Sequence, residues 1–130
     1  MRLIAVDLGD KRTGLASGDT ETRTAFPIET LHVARGEALV RAVCKAADEH
    51  AADAIVIGLP LNMDDTEGPR AAISRSFGNA VAELSSLPVH YQDERLTSFE
   101  ADMRLRGQSN APGNDAMAAV VLLEEFLASR

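Results

Sequence analysis

The sequence has no tryptophan, only one cysteine and no long apolar run, and each shortage excludes a class of protein. A single cysteine, Cys44, cannot form an internal disulfide, and its place on the apolar stripe of a predicted helix indicates a buried, inert thiol. No segment approaches the roughly 18 apolar residues of a membrane span. Residues 1–7 lack the longer apolar run and cleavage site of a secretory signal. We therefore expect a cytoplasmic protein that does not enter the membrane.

Aromatic residues, histidines and glycine motifs are also too few or too scattered for several kinds of site. Aromatic residues make up 4% of the chain, which argues against a base-stacking platform for single-stranded nucleic acid. The three histidines show no metal-ligand spacing, and no Walker-type loop, nucleophile elbow or Rossmann fingerprint occurs. The net charge of −7 disfavours non-specific nucleic-acid binding, although a local basic rim and bound cations can still attract phosphate.

The length of 130 residues, 45% of them apolar, fits a single domain that spans residues 1–130. Apolar runs bounded by turn residues predict five strands, at residues 2–8, 13–17, 26–33, 54–58 and 88–92. Helical patterns predict four helices, which begin near residues 35, 69, 97 and 115. In the second helix, a core-facing stripe is predicted for Ile73, Phe77, Ala80 and Leu84. This order predicts an α/β fold, a five-stranded mixed sheet with helices on both faces.

Two acidic residues stand where an element ends or begins. Asp7 ends the first predicted strand, on the same face as Leu3 and Ala5, where an unpaired charge is costly. It is therefore either a metal ligand or the start of the turn at Gly9. Asp115 begins the last helix, on the helix's core-facing stripe. It either points at the sheet or stabilises the helix N-terminus as a cap.

A further acidic pair, Asp93 and Glu94, directly follows the fifth predicted strand. Because adjacent strand residues point to opposite faces, only one of the two carboxylates is expected to face Asp7, and the sequence leaves open which one. Both could also belong to a solvated strand end, in which Arg95 pairs with one of them.

Together, Asp7, Glu94 and Asp115 would provide the hard oxygen ligands that Mg²⁺ or Mn²⁺ prefers. Two such ions about 3.5–4 Å apart can activate water and stabilise a leaving oxygen in phosphodiester cleavage. The loop after the fourth strand lies where open α/β sheets bind ligands, or is an ordinary polar connection. Candidate contacts to a nucleic-acid backbone are Arg12, Asn62, Thr66, Arg70 and Arg95.

Four motifs occur in order along nearly the whole chain. They are Asp7-Leu8-Gly9 with Arg12 and Gly14, Gly58-Leu59-Pro60 running to Gly68-Pro69-Arg70, Asp93-Glu94-Arg95-Leu96-Thr97, and Asp115 with Ala118-Ala119. In this combination the sequence resembles the bacterial YqgF-type family, known as pre-16S rRNA nucleases or Holliday junction resolvases. The resemblance implies an RNase H-like fold, a cytoplasmic location and a role in maturing the 5′ end of 16S rRNA. It also implies that Asp7, Glu94 and Asp115 form the acidic triad of that fold.

Three alternatives to a metal-dependent endonuclease acting on structured RNA stay open. The same fold could cut branched DNA as a junction resolvase, which would require a homodimer. It could be a non-catalytic nucleic-acid-binding module, an interpretation favoured by the negative charge and the absence of lysine from residues 107–114. An actin-like phosphotransferase is suggested only by Asp7 and Gly9, and would need a second domain.

Overall fold

A computed structural model of the chain describes residues 1–94 and 114–129. Within these ranges lie five strands and three helices: β1 (Arg2–Asp7), β2 (Thr13–Asp19), β3 (Thr24–Leu31), α1 (Glu37–Glu49), β4 (Ala54–Leu59), α2 (Pro69–Ser85), β5 (Val89–Asp93) and α3 (Asn114–Ala128). The helix predicted to begin near residue 97, and the candidate contact Arg95, lie outside the described residues. None of the helices in these ranges is both long enough and apolar enough to cross a bilayer.

All five strands join one mixed sheet in the order β3-β2-β1-β4-β5. Short turns connect β1, β2 and β3, so these strands pair antiparallel. The helices α1 and α2 occupy the longer connections, and β1, β4 and β5 consequently pair in parallel. The predicted five-stranded mixed sheet is confirmed, with β1 at its centre.

Side chains from the central strands alternate between two apolar cores, one on each face of the sheet. The first core packs against α1 and α2 and takes from the strands Ile4, Val6, Leu15, Ile55 and Ile57. The second packs against α3 and takes from the strands Leu3, Ala5, Ala16, Ala54 and Val56. This alternation follows from the two-residue period of a strand and confirms that helices cover both faces.

The predicted core stripe of α2 is wrong apart from Phe77. Ile73 is 37% exposed and Leu84 55% exposed, and Ala80 is exposed as well. The residues of α2 that are buried are Ala71, Ser74, Phe77, Gly78 and Val81. Most of these side chains are short, which lets the helix lie close to the sheet, and a Cβ at residue 78 would collide with the Tyr91 hydroxyl. Close packing by small residues therefore overrides the pattern of large apolar side chains.

Several predicted boundaries also moved by one to three residues, a common uncertainty at element ends. β2 runs to Asp19 and β3 begins at Thr24, because the turn between them is closed by backbone and side-chain bonds to Asp19. α1 begins at Glu37 rather than residue 35, after Gly36, whose positive φ of 156° is readily adopted only by glycine.

Candidate functional site

The three predicted carboxylates lie at one edge of the sheet, where the parallel strands end. Asp7 is the last residue of β1, and Glu94 directly follows β5. The Glu94 backbone N–H donates to the Leu59 carbonyl at 3.2 Å, which continues the β4–β5 pairing to this residue. Asp115 lies in the first turn of α3. This edge is where open α/β sheets commonly bind ligands.

Asp7 and Glu94 are in direct contact through a hydrogen bond between their carboxyl groups. Burial raises the pKa of Asp7 to about 8, and the neighbouring carboxylates of Glu94 and Asp115 act in the same direction. Burial also raises the pKa of Glu94, although the bond to Asp7 and the charge of Arg70 oppose that shift. Without a cation, the pair therefore tends to keep a proton between its two carboxyl groups.

Strand alternation separates Glu94 from Asp93. Tyr91 belongs to the core beside α1 and α2, and alternation places Asp93 on that same side. His90 instead faces α3, with its ring centroid 5.6 Å from that of Phe126. Glu94 continues the His90 side and contacts Asp7, so the geometry favours Glu94 as the carboxylate of the cluster.

Asp115 completes the cluster from the other side of Asp7. Its charge is close enough to raise the pKa of Asp7. Its Oδ2 atom lies 3.4 Å from the Nε atom of Arg12, an ion pair in which Arg12 is largely exposed. Asp115 is thus no simple helix cap: it links the acidic cluster to a cation in the turn that follows β1.

Two glycines in neighbouring strands make room for this arrangement. Gly14 pairs with Asp7 across β1 and β2, and a Cβ there would collide with the backbone of Asp115. Gly58 follows Ile57, the β4 partner of Val6, and a Cβ there would collide with the Glu94 carboxylate. Glycine at these positions therefore lets both acids approach Asp7. Both glycines belong to the motifs noted in the sequence, but their spatial role depends on strand register that the sequence alone does not supply.

The remaining predicted contact residues divide into two groups. Arg70, at the start of α2, is exposed and lies close enough to lower the pKa of both Asp7 and Glu94. Asn62 and Thr66 instead bond within their own loop, with Asn62 Nδ2 donating to Thr66 Oγ1 at 3.0 Å and Thr66 Oγ1 donating to Asp64 at 2.5 Å. Arg12 and Arg70 thus flank the acids, whereas Asn62 and Thr66 fix the shape of the adjacent loop.

The donor set fits a hard divalent cation. Across residues 1–94 and 114–129, no three His, Cys, Asp or Glu side chains form a closed metal-binding group. Mg²⁺ does not need one, because it usually keeps several waters and binds through one or two carboxylates together with phosphate oxygens of a substrate. The Asp7–Glu94 pair, with Asp115 nearby, satisfies that requirement.

Comparisons with known proteins show the family of the chain. The family model described as "RuvX: Holliday junction resolvase" matches residues 1–129. A protein of Anaeromyxobacter dehalogenans named "Putative pre-16S rRNA nuclease" is 43% identical over 100% of this chain and 98% of its own length. A protein of Oenococcus oeni with the same name is 39% identical, over 98% of this chain and 94% of its own.

A solved structure, T. thermophilus RuvC in complex with a Holliday junction substrate, shares the fold. Its TM-score is 0.67 at 12% identity, and the match covers 100% of this chain and 96% of that one. The RNase H-like fold implied by the sequence is therefore confirmed.

Proposed function

This chain belongs to the RuvX family, and we propose that it is a nuclease that hydrolyses phosphodiester bonds with divalent cations held by Asp7, Glu94 and Asp115. The observation that carries the proposal is the contact between two half-buried carboxyl groups, Asp7 and Glu94, at a sheet edge that Asp115 also reaches. A structural role alone would not favour three acids so close together, because each raises the cost of ionising the others. Mg²⁺ or Mn²⁺ is the expected cation.

The acidic residues of the site would bind the cation, and its arginines would bind the substrate. Asp7 and Glu94 release their retained proton and then offer ionised oxygens, while Asp115 lies beside them in its ion pair with Arg12. A divalent cation held there supplies positive charge that favours ionisation of the attacking water and stabilises the leaving oxygen. Arg12 and Arg70 flank the acids and would hold the phosphates of the bound strand.

The substrate that we propose is the 5′ region of precursor 16S rRNA, because two relatives about 40% identical over nearly the whole chain carry that activity in their names. Such a role belongs in the cytoplasm, as the sequence also predicts. Branched DNA is the second candidate, since the family description and the RuvC structure both refer to Holliday junctions. Paired incisions in a junction would require a homodimer.

Cleavage assays with a single substitution test the proposal. Wild-type protein and Asp7→Asn are incubated with a precursor 16S rRNA 5′ fragment and with junction DNA, in Mg²⁺, Mn²⁺ or EDTA. We expect metal-dependent cleavage by the wild type and its loss in Asp7→Asn, because the substitution removes a charged ligand but keeps the side chain's shape. Full activity of Asp7→Asn would contradict the assignment, and the preferred substrate separates RNA processing from junction resolution.

The space provided by Gly58 gives a second prediction. Gly58→Ala places a methyl group against the end of the Glu94 side chain, which must move away from Asp7. We expect turnover to fall by about 10–100-fold, since a displacement of about 1 Å at a reacting group can cost that much. Adding Glu94→Asp, which withdraws the carboxylate by one methylene, should restore part of the loss. Steady-state cleavage rates of the single and double variants provide the measurement.

Gly18→Ala is the matched control for this experiment. Gly18 also lies on the α3 side of the sheet, and a Cβ there would meet Thr24 and Leu123, remote from the acids at the other end of β1. We expect Gly18→Ala to lower the unfolding temperature while the folded protein keeps its turnover. Equal activity of Gly58→Ala and the wild type would show that catalysis does not require the absence of a side chain at residue 58.

A further inference from the structure

A cavity of about 340 Å³ lies beside the acidic cluster, lined by the turn after β1, the segment before α1 and the first turns of α2. Residues that line the cavity include Gly9, Asp10, Arg35, Arg70, Ser74 and Glu94. Glu94 lines this cavity and also contacts Asp7, so the cavity opens directly next to the proposed reaction centre.

Two arginines give the cavity its capacity to bind an anion. Arg70 reaches it from the first turn of α2, and Arg35 from the segment before α1. Arg35 is held in place twice by Asp10, through an Nη1–Oδ1 ion pair of 2.6 Å and a backbone hydrogen bond of 3.0 Å. A guanidinium carries five N–H donors, so a group bonded through Nη1 can still donate to a phosphate.

Ser74 is the third polar group that lines the cavity. It is 4% exposed, although serine is mostly found at protein surfaces. Its position in the cavity lining lets the hydroxyl donate a hydrogen bond to an oxygen of a bound ligand.

We propose that Arg35, Arg70 and Ser74 form a phosphate subsite that holds a backbone phosphate of the strand being cleaved, next to the reacting one. This inference rests on the proposed nuclease function. Two guanidinium groups and a hydroxyl match the oxygens of a phosphodiester, and Glu94, which lines the cavity, lies next to the proposed reaction centre. Asp10 offsets much of the charge of Arg35, so the subsite would bind a phosphate mainly through the guanidinium N–H donors of Arg35 and Arg70 and the Ser74 hydroxyl.

Binding of a 3′-labelled precursor 16S rRNA fragment, measured by fluorescence anisotropy in EDTA at several salt concentrations, tests the subsite without cleavage. We expect Arg35→Gln to weaken binding about tenfold and to reduce the salt slope by about 0.7, the loss of one phosphate contact on a single strand. Ser74→Ala should weaken binding about threefold with an unchanged slope, because a hydroxyl carries no charge.

Asp10→Asn is the matched control, because it breaks the same ion pair from the other side. The backbone hydrogen bond from residue 35 to residue 10 remains and keeps Arg35 beside the cavity, while a negative charge that offsets Arg35 is removed, so affinity should rise. If Arg35 had only a structural role, both variants would weaken binding alike, and that result would overturn the subsite. Unfolding temperatures of all variants identify any loss that comes from misfolding.

Further results distinguish a backbone phosphate from a terminal phosphate in the cavity, and the subsite proposal from the nuclease proposal. Arg35→Gln should weaken the binding of a fragment with a 5′-hydroxyl and of a fragment with a 5′-phosphate equally. A loss of affinity only for the fragment with the 5′-phosphate would assign the cavity to a terminal phosphate and overturn the proposal. Wild-type protein that binds no fragment at any salt concentration would also overturn it. Wild-type protein that binds through Arg35 but does not cleave with any metal would instead count against the nuclease proposal alone.

Discussion

Glu94→Gln lowers the cleavage rate by about a thousandfold or more, whereas Asp93→Asn leaves the rate within about threefold. The loss in Glu94→Gln is large because charge stabilisation at a metal-dependent centre is worth several kcal/mol, and each 1.36 kcal/mol changes the rate about tenfold. The two residues are adjacent in sequence and both are acidic. Glu94 contacts Asp7, whereas alternation places Asp93 on the side of Tyr91. Single-turnover cleavage with saturating protein provides the measurement.

This pair of variants also separates a local role from a general effect of acidity at the end of β5. Each substitution removes one negative charge and keeps the side chain's size, so any change in long-range attraction of nucleic acid is shared. Equal losses in both variants would mean that net charge, rather than the position of one carboxylate, controls the rate. A larger loss in Asp93→Asn would contradict the geometry of the cluster.

Metal-free wild-type protein becomes less stable as the pH rises from about 4 to about 8. The pKa of Asp7 is raised from 3.8 to about 8 in the folded protein, mainly by burial. Across that range the folded state holds a proton that the unfolded state has released, so rising pH favours unfolding. The loss should be about 3–5 kcal/mol at 25 °C, since each unit of pKa shift corresponds to 1.36 kcal/mol. Denaturant unfolding in EDTA at several pH values measures it.

Asp7→Asn and added cation should each remove this dependence, for different reasons. The asparagine variant has no proton to lose at this position, so at pH 8 in EDTA it should be more stable than the wild type. Mg²⁺ should stabilise wild-type protein at pH 8, because an ion that binds only the folded state raises its stability. The variant should gain little from Mg²⁺. A stability that does not change between pH 4 and pH 8 in EDTA would contradict the raised pKa of Asp7.

Asp7 could be placed from the sequence because the rules for its strand are strong. The apolar run of β1 predicts a buried strand, and the two-residue period puts Asp7 on the side of Leu3 and Ala5, as the structure has it. The choice between Asp93 and Glu94 could not be made in the same way. It depends on the register of β5 against β4, in which Gly58 pairs with Gln92 and Leu59 with Asp93, and that register is set by tertiary packing.

The helix α2 marks the limit of pattern reasoning more clearly. The pattern of large apolar residues predicts that Ile73 and Leu84 face the sheet, yet the buried residues of the helix include Ala71, Ser74 and Gly78. Such close packing satisfies van der Waals contact as well as large side chains do, and no hydrophobicity pattern reveals it. For the same reason the cavity beside α2 could not be predicted from the sequence, in which Ser74 resembles an ordinary exposed polar residue.

The position of α3 has a consequence for when the protein can act during its own synthesis. This helix packs on one face of the sheet and carries Asp115, and it is the last described element to leave the ribosome. A nascent chain that lacks it exposes the strand residues Leu3, Ala5 and Val56 and has only part of its acidic cluster. Nuclease competence would therefore arise only after translation of the domain is nearly complete.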